Sequence, residues 1–180
     1  MIEIDVRRLL SSFAKMSKQW GIGESAGNVW GFLLYEARPL SQRQIEENIK
    51  FSRGLISRSL TRLVDLGIIE KFKKGRESYY SSDISLVGGF DKIMENFLKT
   101  EIEPVMNYLS KNLNRTEDET TQEKIRRMIG EYEKLVTGIQ VFSKIMKRYS
   151  SPDARIPTQA EIVKVFENHF KSRQKSTDGC

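Results

Sequence analysis

The chain of 180 residues contains one cysteine, Cys180, and one histidine, His169. A single thiol excludes an internal disulfide, so a reducing cytosol is the expected setting. One histidine and one cysteine are too few for a His/Cys-rich zinc site and argue against a histidine-based catalytic triad. Long apolar runs are also missing. The longest, Val29 to Tyr35, contains a glycine and falls far short of the roughly 20 residues that a membrane-spanning helix needs. The N-terminal Met1-Ile-Glu-Ile-Asp5 puts two acids before any base and does not read as a signal peptide, which favours a cytoplasmic protein without a membrane partner. Glu46 and Glu47 are neighbours on one helix and point apart, so they form no carboxylate pair. No enzyme activity and no cofactor are expected.

What is present is a concentrated charge. The formal net charge is +6. Residues 1–49 carry six basic and six acidic side chains, and residues 77–180 carry sixteen of each. The whole excess lies in residues 50–76, where eight bases (Lys50, Arg53, Arg58, Arg62, Lys71, Lys73, Lys74, Arg76) meet two acids (Asp65, Glu70). A local positive field of this kind suits a polyanion better than an evenly spread basic pI does.

Hydrophobic periodicity divides the chain into elements. Ile4, Leu9, Leu10, Phe13 and Met16 lie at amphipathic-helix spacing, and Gly21 and Gly23 end that helix. A second helix starts near Glu24 and Ser25, is apolar from Val29 to Tyr35, and stops before Pro39. Ser41 with Gln44 predicts a capping box opening a short helix to about Ile49, and Ser52 predicts the N-cap of a helix from Arg53 to Leu66 with Gly67 at its exit. Ile68 to Phe72 and Glu77 to Ser81 then read as a hairpin around a Lys73–Arg76 loop. Beyond Gly89 the pattern is helical again, with Pro104 expected to bend or break the first helix. From Gln122 to Tyr149 the stripe Ile125, Met128, Tyr132, Leu135, Ile139, Phe142, Met146, Tyr149 alternates steps of three and four, the spacing of a coiled-coil seam. Thr158 and Glu161 predict another capping box before a last amphipathic helix carrying Phe166.

Short helix, turn, second helix and hairpin together predict a winged helix-turn-helix. In the second helix Ile56, Leu60, Leu63 and Val64 share one face, while Gly54, Arg58, Thr61, Arg62 and Asp65 lie opposite and Arg53 and Ser57 sit at the N-terminal end. That end of a recognition helix enters the major groove first, where arginine reads guanine through two parallel hydrogen bonds. The predicted DNA-contacting set is therefore Lys50, Ser52, Arg53, Gly54, Ser57, Arg58, Thr61 and Arg62, with Lys73, Lys74 and Arg76 at the hairpin tip meeting flanking backbone or minor groove.

The segments Gly21-Ile-Gly-Glu-Ser-Ala-Gly-Asn-Val-Trp-Gly31, Leu40-Ser-Gln-Arg-Gln-Ile45, Phe51-Ser-Arg-Gly-Leu-Ile-Ser-Arg58 and Leu63-Val-Asp-Leu-Gly-Ile-Ile69 resemble the GbsR branch of the MarR-type winged-helix transcription regulators. The resemblance covers Phe13 to Tyr80; the C-terminal half is similar in layout only. It implies a homodimeric transcription regulator with Ser52 to Leu66 as recognition helix and Ile69 to Ser82 as wing. Some bacterial relatives respond to choline or glycine betaine. A small-molecule effector is thus a partner the resemblance allows, although no residues here match that ligand.

The expected architecture is mainly α with a small β-hairpin. Residues 1–89 form the winged helix-turn-helix domain, 90–172 a helical dimerisation region and 173–180 a polar tail. Residues 1–19 are expected to pack with the dimerisation helices. The dimer seam is assigned to Ile125, Met128, Tyr132, Leu135, Ile139, Phe142, Met146 and Phe166, and the preferred target to a pseudo-palindrome with half-sites about 34 Å apart. The competing readings are a winged-helix protein-interaction module and a non-specific architectural DNA-binding protein. Gly21-x-Gly23-x-x-Ala26 fits a loose dinucleotide fingerprint but lacks the preceding strand that motif needs. Trp20, Trp30, Tyr35, Phe90 and Phe97 have the chemistry of a cation cage, with core packing the favoured use.

Overall fold

The structure is a computed structural model describing residues 5–150 and 154–177, with side chains through residue 168. His169 and Cys180 thus lie outside the described side chains. The chain divides into two compact units, residues 1–92 and 93–180.

In the first unit α1 (Val6–Gln19) starts at Asp5, whose carboxylate accepts the free N–H groups of Arg7 and Arg8. Its apolar face lies on α2 (Glu24–Glu36), and the approach depends on two glycines. A Cβ on Gly27 would stand 2.4 Å from the Ser17 Cβ, and one on Gly31 would stand 3.0 Å from the Phe13 ring. The turn between the helices holds Gly21 at φ 76° and Gly23 at φ 96°, so the glycine motif serves a helix–helix turn. Of the aromatic residues, Trp30 is core and Phe13, Trp20 and Phe90 are half-buried around it, whereas Tyr35 and Phe97 are exposed. Phe13 meets Trp30 edge-on at 5.0 Å, Trp20 meets Phe90 at 4.7 Å, and Trp30 is completely buried.

Ala37 turns left-handed to end α2, and the chain enters β1 (Leu40–Ser41), a strand too short to show alternation and absent from the sequence expectation. Ser41 then caps α3 (Gln42–Asn48): its Oγ accepts the Gln44 N–H at 3.4 Å, and the Gln44 side chain accepts the Ser41 N–H at 2.8 Å. Helix α4 (Arg53–Asp65) begins at Ser52, whose Oγ accepts the Leu55 N–H, and buries Ile56, Leu60 and Leu63. Gly67 at φ 66° closes it.

The sheet has the order β1-β3-β2, antiparallel throughout, with β2 (Glu70–Lys74) and β3 (Glu77–Ser81) as its hairpin. Here the expectation needs correction. Ile68 and Ile69 are buried residues that precede the strand, and Lys73 and Lys74 belong to β2 and not to a loop. Lys74 pairs with Glu77, leaving only Gly75 and Arg76 as the turn. Gly75 has φ 65°, and a glycine at the first central position lets a two-residue loop follow the strand twist.

The second unit is helical. The division falls inside α5 (Leu86–Phe97), which runs into a π-helical turn, Leu98–Ile102, and then α6 (Glu103–Leu113). Pro104 occupies the first turn of α6, where its missing N–H is harmless. The wide π turn upstream absorbs the clash its ring would make with the carbonyl four residues back. Asp118 caps α7 (Glu119–Arg148), which packs against both α6 and α8 (Gln159–Thr177). Helix α8 is capped by Thr158 and Glu161 as predicted and continues to Thr177, past the expected start of the polar tail at 173.

The eight residues assigned to a seam are not what α7 and α8 bury. Within the chain α7 buries Val141 and Ile145, on another side of the helix. Ile125, Tyr132, Ile139 and Met146 are half-buried, while Met128, Leu135, Phe142 and Phe166 are exposed. Heptad counting from sequence selected one apolar face of a helix that has two.

Candidate nucleic-acid interface

All eleven residues predicted to contact DNA are exposed: Lys50, Ser52, Arg53, Gly54, Ser57, Arg58, Thr61, Arg62, Lys73, Lys74 and Arg76. Those of α4 are turned outward because Ile56, Leu60 and Leu63 pin the opposite side of the helix in the core, and Lys73, Lys74 and Arg76 belong to the hairpin. Ser52 takes the Leu55 N–H at the start of α4, and the helix dipole makes that end attractive to anions.

Between α3, α4 and the sheet runs a groove of about 570 Å³. Its lining includes Arg43, Glu46, Arg53, Ser57, Thr61, Lys71, Ser78 and Tyr80. Three cations face it, and two of them are restrained: Arg53 lies 3.8 Å from Glu46, and Arg43 bonds Glu47 at 3.1 Å. Exposed pairs of this type are worth little and exchange readily for a phosphate. The Lys71 ammonium stands 6.0 Å from the centre of the Tyr80 ring, which holds it on this side of the hairpin. The Thr61 hydroxyl donates to the Ser57 carbonyl at 3.0 Å, so toward a ligand it offers its lone pairs and its methyl.

Strand alternation separates the lysines of the wing. Lys71 and Lys73 share the face of Tyr80, whereas Lys74 lies on the other face with Phe72 and Tyr79, whose rings stack at 6.2 Å. Lys73 and Lys74 thus do not form one tip group, and Lys71 and Arg43, outside the predicted set, line the groove. The signal was available: with Tyr80 recognised as the buried residue of its strand, a period of two assigns Lys71 and Lys73 to one face. Arg62 also differs from a free reader, because its guanidinium donates to the Gly21 carbonyl at 2.6 Å.

Among the described residues no group of three or more His, Cys, Asp or Glu is placed to hold a metal, and no helix is long and apolar enough to cross a membrane.

A solved crystal structure described as that of a transcriptional regulator superposes with a TM-score of 0.61, covering 81% of this chain and 98% of that one at 16% identity. The fold is a winged helix-turn-helix with a helical extension. A MarR transcriptional regulator from Methanosarcina mazei Go1 covers 74% of the chain at 18% identity with a TM-score of 0.35. A structure of the DNA-recognition and protein-interaction domains of HOP2 covers 33% at 21% identity with a TM-score of 0.32. No family model matches the chain, and no curated protein matches it.

Proposed function

We propose that this protein is a homodimeric, sequence-specific regulator of transcription that binds double-stranded DNA. Helix α4 lies in the major groove, and the β2–β3 wing lies along flanking backbone or minor groove. The observation that carries this reading is the coincidence of charge and shape. The entire net charge of +6 resides in residues 50–76, and the fold turns those residues into one exposed helix ridge and one hairpin. In this reading Arg53 and Arg58 read base edges, Lys50, Ser52 and Arg62 meet phosphates, and Lys71 joins Lys73 and Arg76 on the wing.

The dimer reading draws support from α7. Met128, Leu135 and Phe142 recur at seven-residue steps and are 48%, 45% and 37% exposed, a continuous apolar line on a soluble helix. A second copy that covers it brings two α4 helices to one duplex and selects a pseudo-palindromic site. The GbsR-like segments add the kinship and leave a small-molecule effector open; a cytoplasmic setting follows from the same role.

Selection of bound fragments from the genome of the source organism tests the proposal. A single enriched pseudo-palindrome, with half-sites about 34 Å apart or a multiple of that, is the expected result. Uniform enrichment of all fragments reassigns the protein as an architectural DNA binder, and no enrichment leaves the winged helix as a protein-interaction module.

A further inference from the structure

The groove between α3, α4 and the sheet carries an acid on a face otherwise rich in cations. Glu46 of α3 is 26% exposed and lines it together with Arg43, Arg53 and Lys71. Its Oε1 accepts the Gln42 side-chain amide at 2.9 Å, and the Nε of Arg53 stands 3.8 Å from that same oxygen. Glu46 belongs to α3 and Arg53 is the first residue of α4, so the pair crosses the turn of the helix-turn-helix. Arg43 differs, because its partner Glu47 is an exposed residue with no second bond to hold it and the two part easily for a phosphate. Glu77, the remaining acid of the lining, accepts the Tyr79 hydroxyl at 3.4 Å at the hairpin end.

We infer that Glu46 is a positioning residue that directs Arg53 to a guanine. In water the pair contributes little, but a duplex laid over the groove removes the solvent that screens it. A carboxylate on that face is repelled by phosphates. Were Arg53 to leave for a phosphate, Glu46 would face the duplex with a neutral amide as its partner, so the pair holds together in the complex. The guanidinium carries its N–H donors in a rigid planar fork. Glu46 engages the Nε side, and the Arg53 side chain is 85% exposed, which leaves the terminal nitrogens to a ligand. Two parallel donors match guanine O6 and N7, and the N-terminal end of α4 is the part of a recognition helix that meets base edges. The inference rests on the DNA-binding reading above and adds the base that Arg53 reads and the side chain that makes it do so.

The test takes the full chain through selection from a pool of random-sequence duplexes, as wild type, Glu46→Gln, Arg53→Lys and the double variant. Wild type is expected to select guanine at one position of each half-site, about tenfold over adenine, and Arg53→Lys to lose that preference because an ammonium has no fork. Glu46→Gln removes the charge, keeps an acceptor for Gln42 and is as good a helix former. It should cut the guanine preference about fivefold at that position alone. By fluorescence anisotropy it should bind a mixed-sequence duplex as tightly as wild type or more tightly, because an anion has left the DNA face. A merely structural glutamate would lower specific and mixed-sequence affinity together. The double variant should match Arg53→Lys, because Glu46 acts through Arg53. A guanine preference unchanged in Glu46→Gln, or a loss spread over all positions, overturns the role of Glu46 and leaves the regulator reading in place. A consensus that Arg53→Lys does not alter removes Arg53 as the guanine reader and Glu46 with it. Wild type that selects no sequence overturns the sequence-specific reading as well.

Discussion

Gly27 and Lys71 illustrate how much depends on single positions. At Gly27 there is no room for even a methyl group: an added Cβ would stand 2.4 Å from the Ser17 Cβ and 3.1 Å from the Ala14 backbone. Gly27→Ala is therefore expected to push α1 off α2 and lower stability by about 1–3 kcal/mol, measured by thermal or denaturant unfolding. An unchanged midpoint would show that the two helices separate without cost. Lys71 and Lys74 carry the same charge three residues apart on opposite faces of the hairpin. Lys71→Ala should weaken duplex binding and lower its salt slope by about one, and Lys74→Ala should do so much less. Equal losses would mean that the strand passes over the hairpin turn and contacts both faces.

Helices here are set by their ends, and most of those ends were readable. Ser41 with Gln44, Ser52, and Thr158 with Glu161 were recognised because a cap is a local event, complete within four residues. The Thr158–Glu161 box also carries a pH dependence. The Thr158 backbone N–H and hydroxyl, helped by Arg155, hold the Glu161 carboxyl down from 4.5 to about 2. A lowered folded pKa means that the cap contributes fully above the ordinary carboxylate range and is lost as pH falls through it toward about 2. Glu161→Gln keeps an acceptor without a titrating charge. Wild type should thus be the more stable at pH 6, and the gap should close as pH approaches 2, read by circular dichroism. A gap constant across that range would take the carboxylate's charge out of the cap. The hairpin was read less well, because the loop boundary depends on which residues pair across strands, and lysines give no preference for strand or loop that separates Lys73 and Lys74 from Arg76.

For the molecule as a whole, the proposed dimer rests on the exposed Met128 and Leu135 of α7. Leu135 is 45% exposed, so Leu135→Asp leaves the fold of the single chain intact while placing a charge in the proposed seam. The variant should be monomeric by light scattering and should bind a palindromic site with the affinity of one half-site. A variant that stays dimeric moves the interface elsewhere. The exposed Phe166 on α8 belongs to the same proposal, and Phe166→Asp gives a second readout on a separate helix.

Composition, caps and periodicity alone determined the order of helices, the start of α4, the core face of Ile56, Leu60 and Leu63, and the concentration of charge in residues 50–76. Each of these depends on neighbours within a few residues, which a single sequence displays. Tertiary structure decided the rest. It paired Lys74 with Glu77 and so shortened the turn, added β1 to the sheet, and turned Lys71 toward α4. It also chose Val141 and Ile145 as the inner face of α7. These outcomes depend on which distant segments meet, and a pattern of local spacing carries no information about the partner that will cover it.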